Sequence, residues 1–139
     1  MADDVDVLVV DDDPDARESM AVLLGEFGYH ARTARDANSA LAELARQPPP
    51  CVVLDLGMPG MNGIELARTI RARHGGSMVL IALTGWANTE RQEEAEVAGV
   101  DFVLAKPLDL QRFRALLPPM RSGAASSRNP EGRGAGPLL

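Results

Sequence analysis

Four polar clusters in this chain each follow directly on a short apolar run. They are Asp11-Asp12-Asp13 after Val5–Val10, Asp55 after Cys51-Val52-Val53-Leu54, Thr84-Gly85 after Met78–Leu83, and Lys106-Pro107 after Val100–Ala105. If the runs are parallel strands of one sheet, the clusters share a crevice, because ligands bind outside the carboxyl ends of the strands in such sheets. Carboxylates of Asp11, Asp12 and Asp55 gathered there would repel one another by roughly 4 kcal/mol per close pair at a moderate effective dielectric. A divalent cation removes that penalty. An all-oxygen set with room for several waters suits Mg²⁺, with Mn²⁺ as an alternative, better than Zn²⁺. A metal beside a carboxylate, with a hydroxyl and an ammonium across the crevice, is equipment for phosphoryl transfer. Asp55 is then the candidate nucleophile, forming an acyl phosphate whose oxygens fall to the metal, the Thr84 hydroxyl, the Gly85 amide and the Lys106 ammonium.

Lys106 stands out by composition, since the chain has 13 arginines and one lysine. Where arginine is the default cation, a lysine marks a place that takes a compact point charge and not a guanidinium fork. Pro107 directly after the strand admits a cis bond that would turn the ammonium inward. Simpler roles compete at several positions. Asp13 before Pro14 reads as a helix cap, Asp11 and Asp12 as acids at a helix N-terminus, and Thr84 with Gly85 as a turn. Asp55 is hardest to explain that way, because an acid ending an apolar central strand needs a partner. Trp86 is expected to overhang the crevice, Cys51 to be a small buried hydrophobe, and His30 and His74 to be surface residues without a role.

The elements that must position these residues alternate along the chain. Five β-branched apolar runs, the four above and Tyr29–Ala34, are separated by amphipathic segments, the pattern of a parallel sheet covered by helices. The second run is polar and belongs at an edge. The first helix is expected after Asp13, burying Ala16, Met20, Leu23, Leu24 and Phe27 and stopped by Gly28. A second fits residues 36–47, with Ala37, Ala40, Leu41 and Leu44 inward, and a third fits 62–73. The fourth, 88–98, carries Glu90, Glu93, Glu94 and Glu96 and only a thin apolar stripe. The fifth, 109–117, opens on an Asp109 cap and is expected to bury Leu110, Phe113, Leu116 and Leu117. Residues 120–139 are rich in Gly, Ser, Ala and Pro, so the expected organisation is one domain over 1–119 and a disordered tail over 120–139.

At 139 residues, 45% apolar and 24% charged, the composition is that of one globular domain. No apolar stretch approaches the ~20 residues of a membrane helix, and the acidic N-terminus is unlike a secretory signal, so a cytoplasmic location is expected. A single cysteine excludes an internal disulfide framework. The net charge of -6 argues against direct nucleic-acid binding, and no DNA-binding helix pair follows the domain.

Taken in order, Val9-Val10-Asp11-Asp12-Asp13-Pro14, the stretch from Leu54 to Gly63, Ala82-Leu83-Thr84-Gly85 and Lys106-Pro107 resemble the receiver domain of two-component response regulators over roughly residues 5–117. The resemblance implies a flavodoxin-like (βα)5 fold, with a five-stranded parallel sheet of order 2-1-3-4-5 flanked by five helices. It implies a phosphoacceptor that takes a phosphoryl group from the phosphohistidine of a histidine kinase or phosphotransfer protein onto Asp55 and then switches contacts with a downstream protein, as a monomer or weak dimer. It also implies Mg²⁺ held by Asp12, Asp55 and the Gly57 carbonyl, with Asp11 acting through water, and Thr84 and Lys106 sensing the phosphoryl group. The family usually places an aromatic residue three positions before the lysine. Here that position is Val103, and Phe102 lies on the opposite strand face, so switching is expected to run through the Thr84 loop and the helix over 88–98.

Two other classes fit parts of the pattern. An Asp-nucleophile phosphohydrolase would share Asp11-x-Asp13, a threonine and a lysine, but a second acidic pair after the lysine and a cap domain are missing. A binding module of receiver shape that is never phosphorylated would not need the full set of five site residues. A flavin-binding reading fails, since acids after the first strand would repel a phosphate.

Overall fold

The computed structural model describes residues 5–57, 62–85 and 89–119. Along the chain run β1 (Asp6–Val10), α1 (Pro14–Glu26), β2 (His30–Ala34), α2 (Ala37–Arg46), β3 (Cys51–Asp55), α3 (Gly63–His74), β4 (Val79–Thr84), α4 (Thr89–Ala98), β5 (Phe102–Ala105) and α5 (Leu110–Leu116). The strands form one sheet in the order β2-β1-β3-β4-β5, every neighbouring pair parallel. This is the flavodoxin-like order expected from the motifs, with polar β2 at an edge.

Side-chain alternation along the strands divides the core into two layers. Leu8, Val10, Val52, Leu54, Leu80 and Ala82 face one layer, which α2, α3 and α4 cover with Leu44, Ile70 and Ala95 among others. Val7, Val9, Cys51, Val53, Ile81 and Leu83 face the other, covered by Leu24 of α1 and Phe113 of α5. The three central strands, β1, β3 and β4, are thus buried on both faces, which is why their sequences read as nearly continuous apolar runs.

Helix starts follow the capping residues. The carboxylates of Asp13, Asp36 and Asp109 and the amide oxygen of Asn62 each accept a backbone N–H from the first turn that follows. In α1 only Leu24 is fully buried, while Met20, Leu23 and Phe27 pack half-buried against the second layer. Leu110 departs from expectation. It is 49% exposed, because it is the first residue of α5, one turn before the inward-facing Phe113. Among the described residues, no helix is long and apolar enough to cross a membrane.

The least expected feature is a buried arginine in the edge strand. Arg32 donates to Glu43 Oε1 at 2.8 Å, to the carbonyls of Glu43 and Gln47 at 3.0 and 2.8 Å, and to Asp6 Oδ2 at 3.4 Å. These acceptors meet most of the hydrogen-bond needs of a buried guanidinium and tie β2 to β1 and to the end of α2.

Candidate functional site

Register decides what meets at the carboxyl ends of the strands. Val10 pairs with Leu54, so Asp11 and Asp55 leave β1 and β3 side by side. Asp55 is level with Leu83 and Leu83 with Leu104, which brings Lys106 two residues beyond that line on β5. Asp11, Asp55 and Lys106 continue the alternation of Val9, Val53 and Leu104, the layer under α1 and α5. Thr84 follows Leu83 with the opposite parity. The β1–β3 boundary is also where strand order reverses, the place such sheets use for ligands.

At the centre is an ion pair. Lys106 Nζ donates to Asp55 Oδ2 at 2.7 Å, and the Gly57 amide donates to Asp55 Oδ1 at 2.8 Å. Asp55 is 8% exposed, so both bonds lie largely out of water, where they are stronger. The Asp55 carbonyl is pressed by the start of α3, where a Cβ on Gly63 would come within 3.1 Å of it and 3.0 Å of Leu56 Cδ2. A glycine is what lets α3 begin this close behind the acid. On the far side, the Lys106 amide donates to the Thr84 carbonyl at 2.8 Å, and the Lys106-Pro107 peptide is cis.

Asp11 is also 8% exposed. Its Oδ1 accepts the Asp13 amide at 3.0 Å, and its carbonyl accepts from Arg17 at 2.8 Å. Burial holds its carboxyl above the ordinary range; the Asp13 amide and the Lys106 charge pull the other way, while the charges of Asp55 and Asp12 add to the rise. Thr84 is 1% exposed at the end of β4.

Of the three carboxylates expected to gather, two are buried and the third stands at their rim. Among the described residues no three Asp, Glu, His or Cys side chains stand together as a metal cage. Asp11 and Asp55 are buried, while Asp12 is half-exposed beside them. The reason is local: Asp11 folds back to bond the Asp13 amide, leaving Asp12 on the rim. Acids placed in this way fit an oxygen-ligated divalent ion, since Mg²⁺ takes one or two carboxylates and completes its shell with water. Two buried acids sharing one ammonium leave a net negative charge for that ion to balance.

Asp13 is the helix cap, bonded to the Asp15 amide at 3.1 Å. Cys51 is buried as expected, and burial, with a smaller push from the Asp101 charge, drives its thiol up to about 12. His30 is exposed but has a partner, Asp6, at 2.9 Å. Val103 packs against the layer under α3 and α4, whereas Phe102 is exposed. Trp86, Asn88, the Met58-Pro59-Gly60-Met61 stretch and residues 120–139 lie outside the described residues. Sequence reading missed Arg17, whose spacing from Asp11 was the available signal, and Arg71, which donates to the Gly99 carbonyl and to Asp101.

Comparison with known proteins agrees with this geometry. Response regulator protein PilR of Pseudomonas aeruginosa is 35% identical over 124 residues, which are 89% of this chain and 27% of that protein. The crystal structure of a response regulator receiver protein from Pseudomonas putida superposes with a TM-score of 0.75 at 32% identity, covering 84% of this chain and 97% of that one. The chemotaxis response regulator CheY4 of Vibrio cholerae gives 0.74 at 27% identity over 82% and 99%. The chain thus spans about a quarter of the longer PilR and nearly all of the two solved structures. The family profile described as response regulator receiver domain matches residues 7–118. Since that match begins inside β1 and ends past α5, it takes in the whole fold and both layers of its core, and the chain belongs to the receiver domains of two-component response regulators.

Proposed function

We propose that Asp55 accepts a phosphoryl group from the phosphohistidine of a histidine kinase or phosphotransfer protein. The observation that carries this reading is the buried Asp55 carboxylate gripped by the chain's one lysine at 2.7 Å. In the transfer an Asp55 oxygen attacks phosphorus, the new O–P bond forms as the P–N bond breaks, and the imidazole nitrogen keeps the electron pair. The Gly57 amide and Lys106 orient the carboxylate for that attack. As the phosphoryl group arrives, the ammonium moves its charge from the carboxylate to the phosphoryl oxygens, with Thr84 the second candidate donor.

Mg²⁺, or Mn²⁺, is the metal these residues suit, with Asp12, Asp55 and the Gly57 carbonyl as ligands and Asp11 acting through water. Bound there it neutralises charge building up on the transferring group. The domain catalyses only its own phosphorylation and dephosphorylation and then passes the signal through protein contact. The unit carrying this chemistry ends near residue 119.

Incubation with acetyl phosphate and Mg²⁺ tests the reading. A stable gain of one phosphoryl group, lost with a chelator and in Asp55→Ala, is expected. Continuous turnover would favour the phosphohydrolase, and the absence of any label would favour an unphosphorylated module.

A further inference from the structure

Beside the acid pair the second core layer is not closed. A cavity of about 310 Å³ lies between α1 and the β5–α5 connection, walled by Val9, Val53 and Leu83 of three adjacent strands, Ala16 and Met20 of α1, and Leu108. Its mouth opens to solvent and most of its wall is apolar, the form of a small-molecule pocket. The volume is at the small end of ligand pockets, roughly 300–1,000 Å³. One end is different: Asp11, Asp55 and Lys106 line it.

The charges at that end are unevenly satisfied. Both oxygens of Asp55 accept hydrogen bonds. Asp11 accepts one, on Oδ1, and no described residue donates to its Oδ2, although Asp11 is 8% exposed. A buried carboxylate oxygen that none of the described residues reaches is open to a partner. The two carboxylates and one ammonium that line the cavity sum to one negative charge, which a single positive charge complements.

We infer that the cavity binds a small amphiphilic monocation, a primary amine on an aryl or short alkyl body, with the ammonium on Asp11 Oδ2 and the body against Val9, Val53, Leu83 and Met20. Met20 is unbranched and half-buried, suited to adjusting to the body that enters. The amine and a divalent metal use the same carboxylate, so an amine of this kind holds the receiver out of its metal-loaded state.

The test uses the whole chain in metal-free buffer, so its failure leaves the phosphoacceptor reading untouched. Phenethylamine and its neutral counterpart phenethyl alcohol are titrated against protein with methyl-labelled methionine. The amine is expected to move the Met20 signal and to bind about tenfold or more tightly than the alcohol, the gain of one charge-assisted hydrogen bond. Asp11→Asn should erase that preference, and added Mg²⁺ should weaken the amine alone. Filling the cavity with Met20→Trp or Ala16→Leu should abolish binding of both ligands in whichever variant keeps the wild-type melting transition. Equal affinity for amine and alcohol, an unmoved Met20 signal, or undiminished binding in a folded filled variant would overturn the inference.

Discussion

Helices α3 and α4 lie next to each other on one face of the sheet, but they are held differently. α3 buries Ile64, Leu66, Ala67 and Ile70, and each large aliphatic side chain among them is worth about 1.5–3 kcal/mol of burial. Among its described side chains α4 buries only Ala95 and Ala98 and leaves Val97 86% exposed. What secures α4 is at its C-terminal end, and it is polar. Arg71 of α3 donates to the Gly99 carbonyl at 2.8 Å, to Asp101 Oδ2 at 2.7 Å and to the Met78 carbonyl at 2.7 Å. The lesson is one of division: α3 stands directly behind Asp55 and is packed to stay, while α4, which follows the Thr84 loop, is clamped at one end and lightly seated along its length. Elements that respond to a signal come from the low-stability end of a fold.

Four variants can break or sharpen this contrast. The largest effect is expected from Ile70→Ala, which should lower the unfolding free energy by about 2–5 kcal/mol through the cavity left in the core; a loss under 1 kcal/mol, on the same scale, would show that α3 is no better anchored than its neighbour. Next is Gly99→Ala. Gly99 has φ 112°, and a Cβ there would collide with Arg71 Cγ, so a loss of about 1–3 kcal/mol is expected. In hydrogen exchange that loss should appear first in α4.

The third prediction concerns alkaline pH. The Cys51 thiol is held up to about 12, against an ordinary value of 9.0, so above pH 9 the unfolded chain releases a proton that the folded one keeps. Stability should therefore fall as pH rises between about 9 and 12, by up to about 1.4 kcal/mol per pH unit. Denaturant melts of wild type and Cys51→Ala should differ in that slope. Thiol labelling of Cys51 should accelerate in Ile70→Ala and not in a variant that loosens α4 alone. The smallest effect is expected from Val97→Ala, within about 0.5 kcal/mol by thermal melt, as for other surface changes.

Much of this was legible in the amino-acid order. Strand runs, the caps at Asp13, Asp36, Asn62 and Asp109, and the thin stripe of α4 all depend on neighbours in sequence, and local chemistry dictates them. The alternation Val9-Asp11, Val53-Asp55 and Leu104-Lys106 likewise carries its face assignment within each strand. What depended on distant partners was not legible. Arg32 and Arg71 are buried or half-buried because acceptors from other elements surround them, and nothing in their flanking residues says so. Asp11 and Asp12 are neighbours in sequence, but backbone geometry sets one inward and the other on the rim. The cavity beside Asp11 arises from the spacing of α1 against the β5–α5 connection, a quantity that no periodicity encodes.

The meeting of Lys106 with Asp55 has a practical corollary. Because no other lysine exists in the chain, acylating reagents aimed at side-chain amines have a single address, and it is the nitrogen that touches Asp55 at 2.7 Å. Ammonium groups engaged with a carboxylate acylate slowly, so the speed of that modification is a built-in gauge of whether the contact is closed or released, readable by mass alone and without any engineered probe.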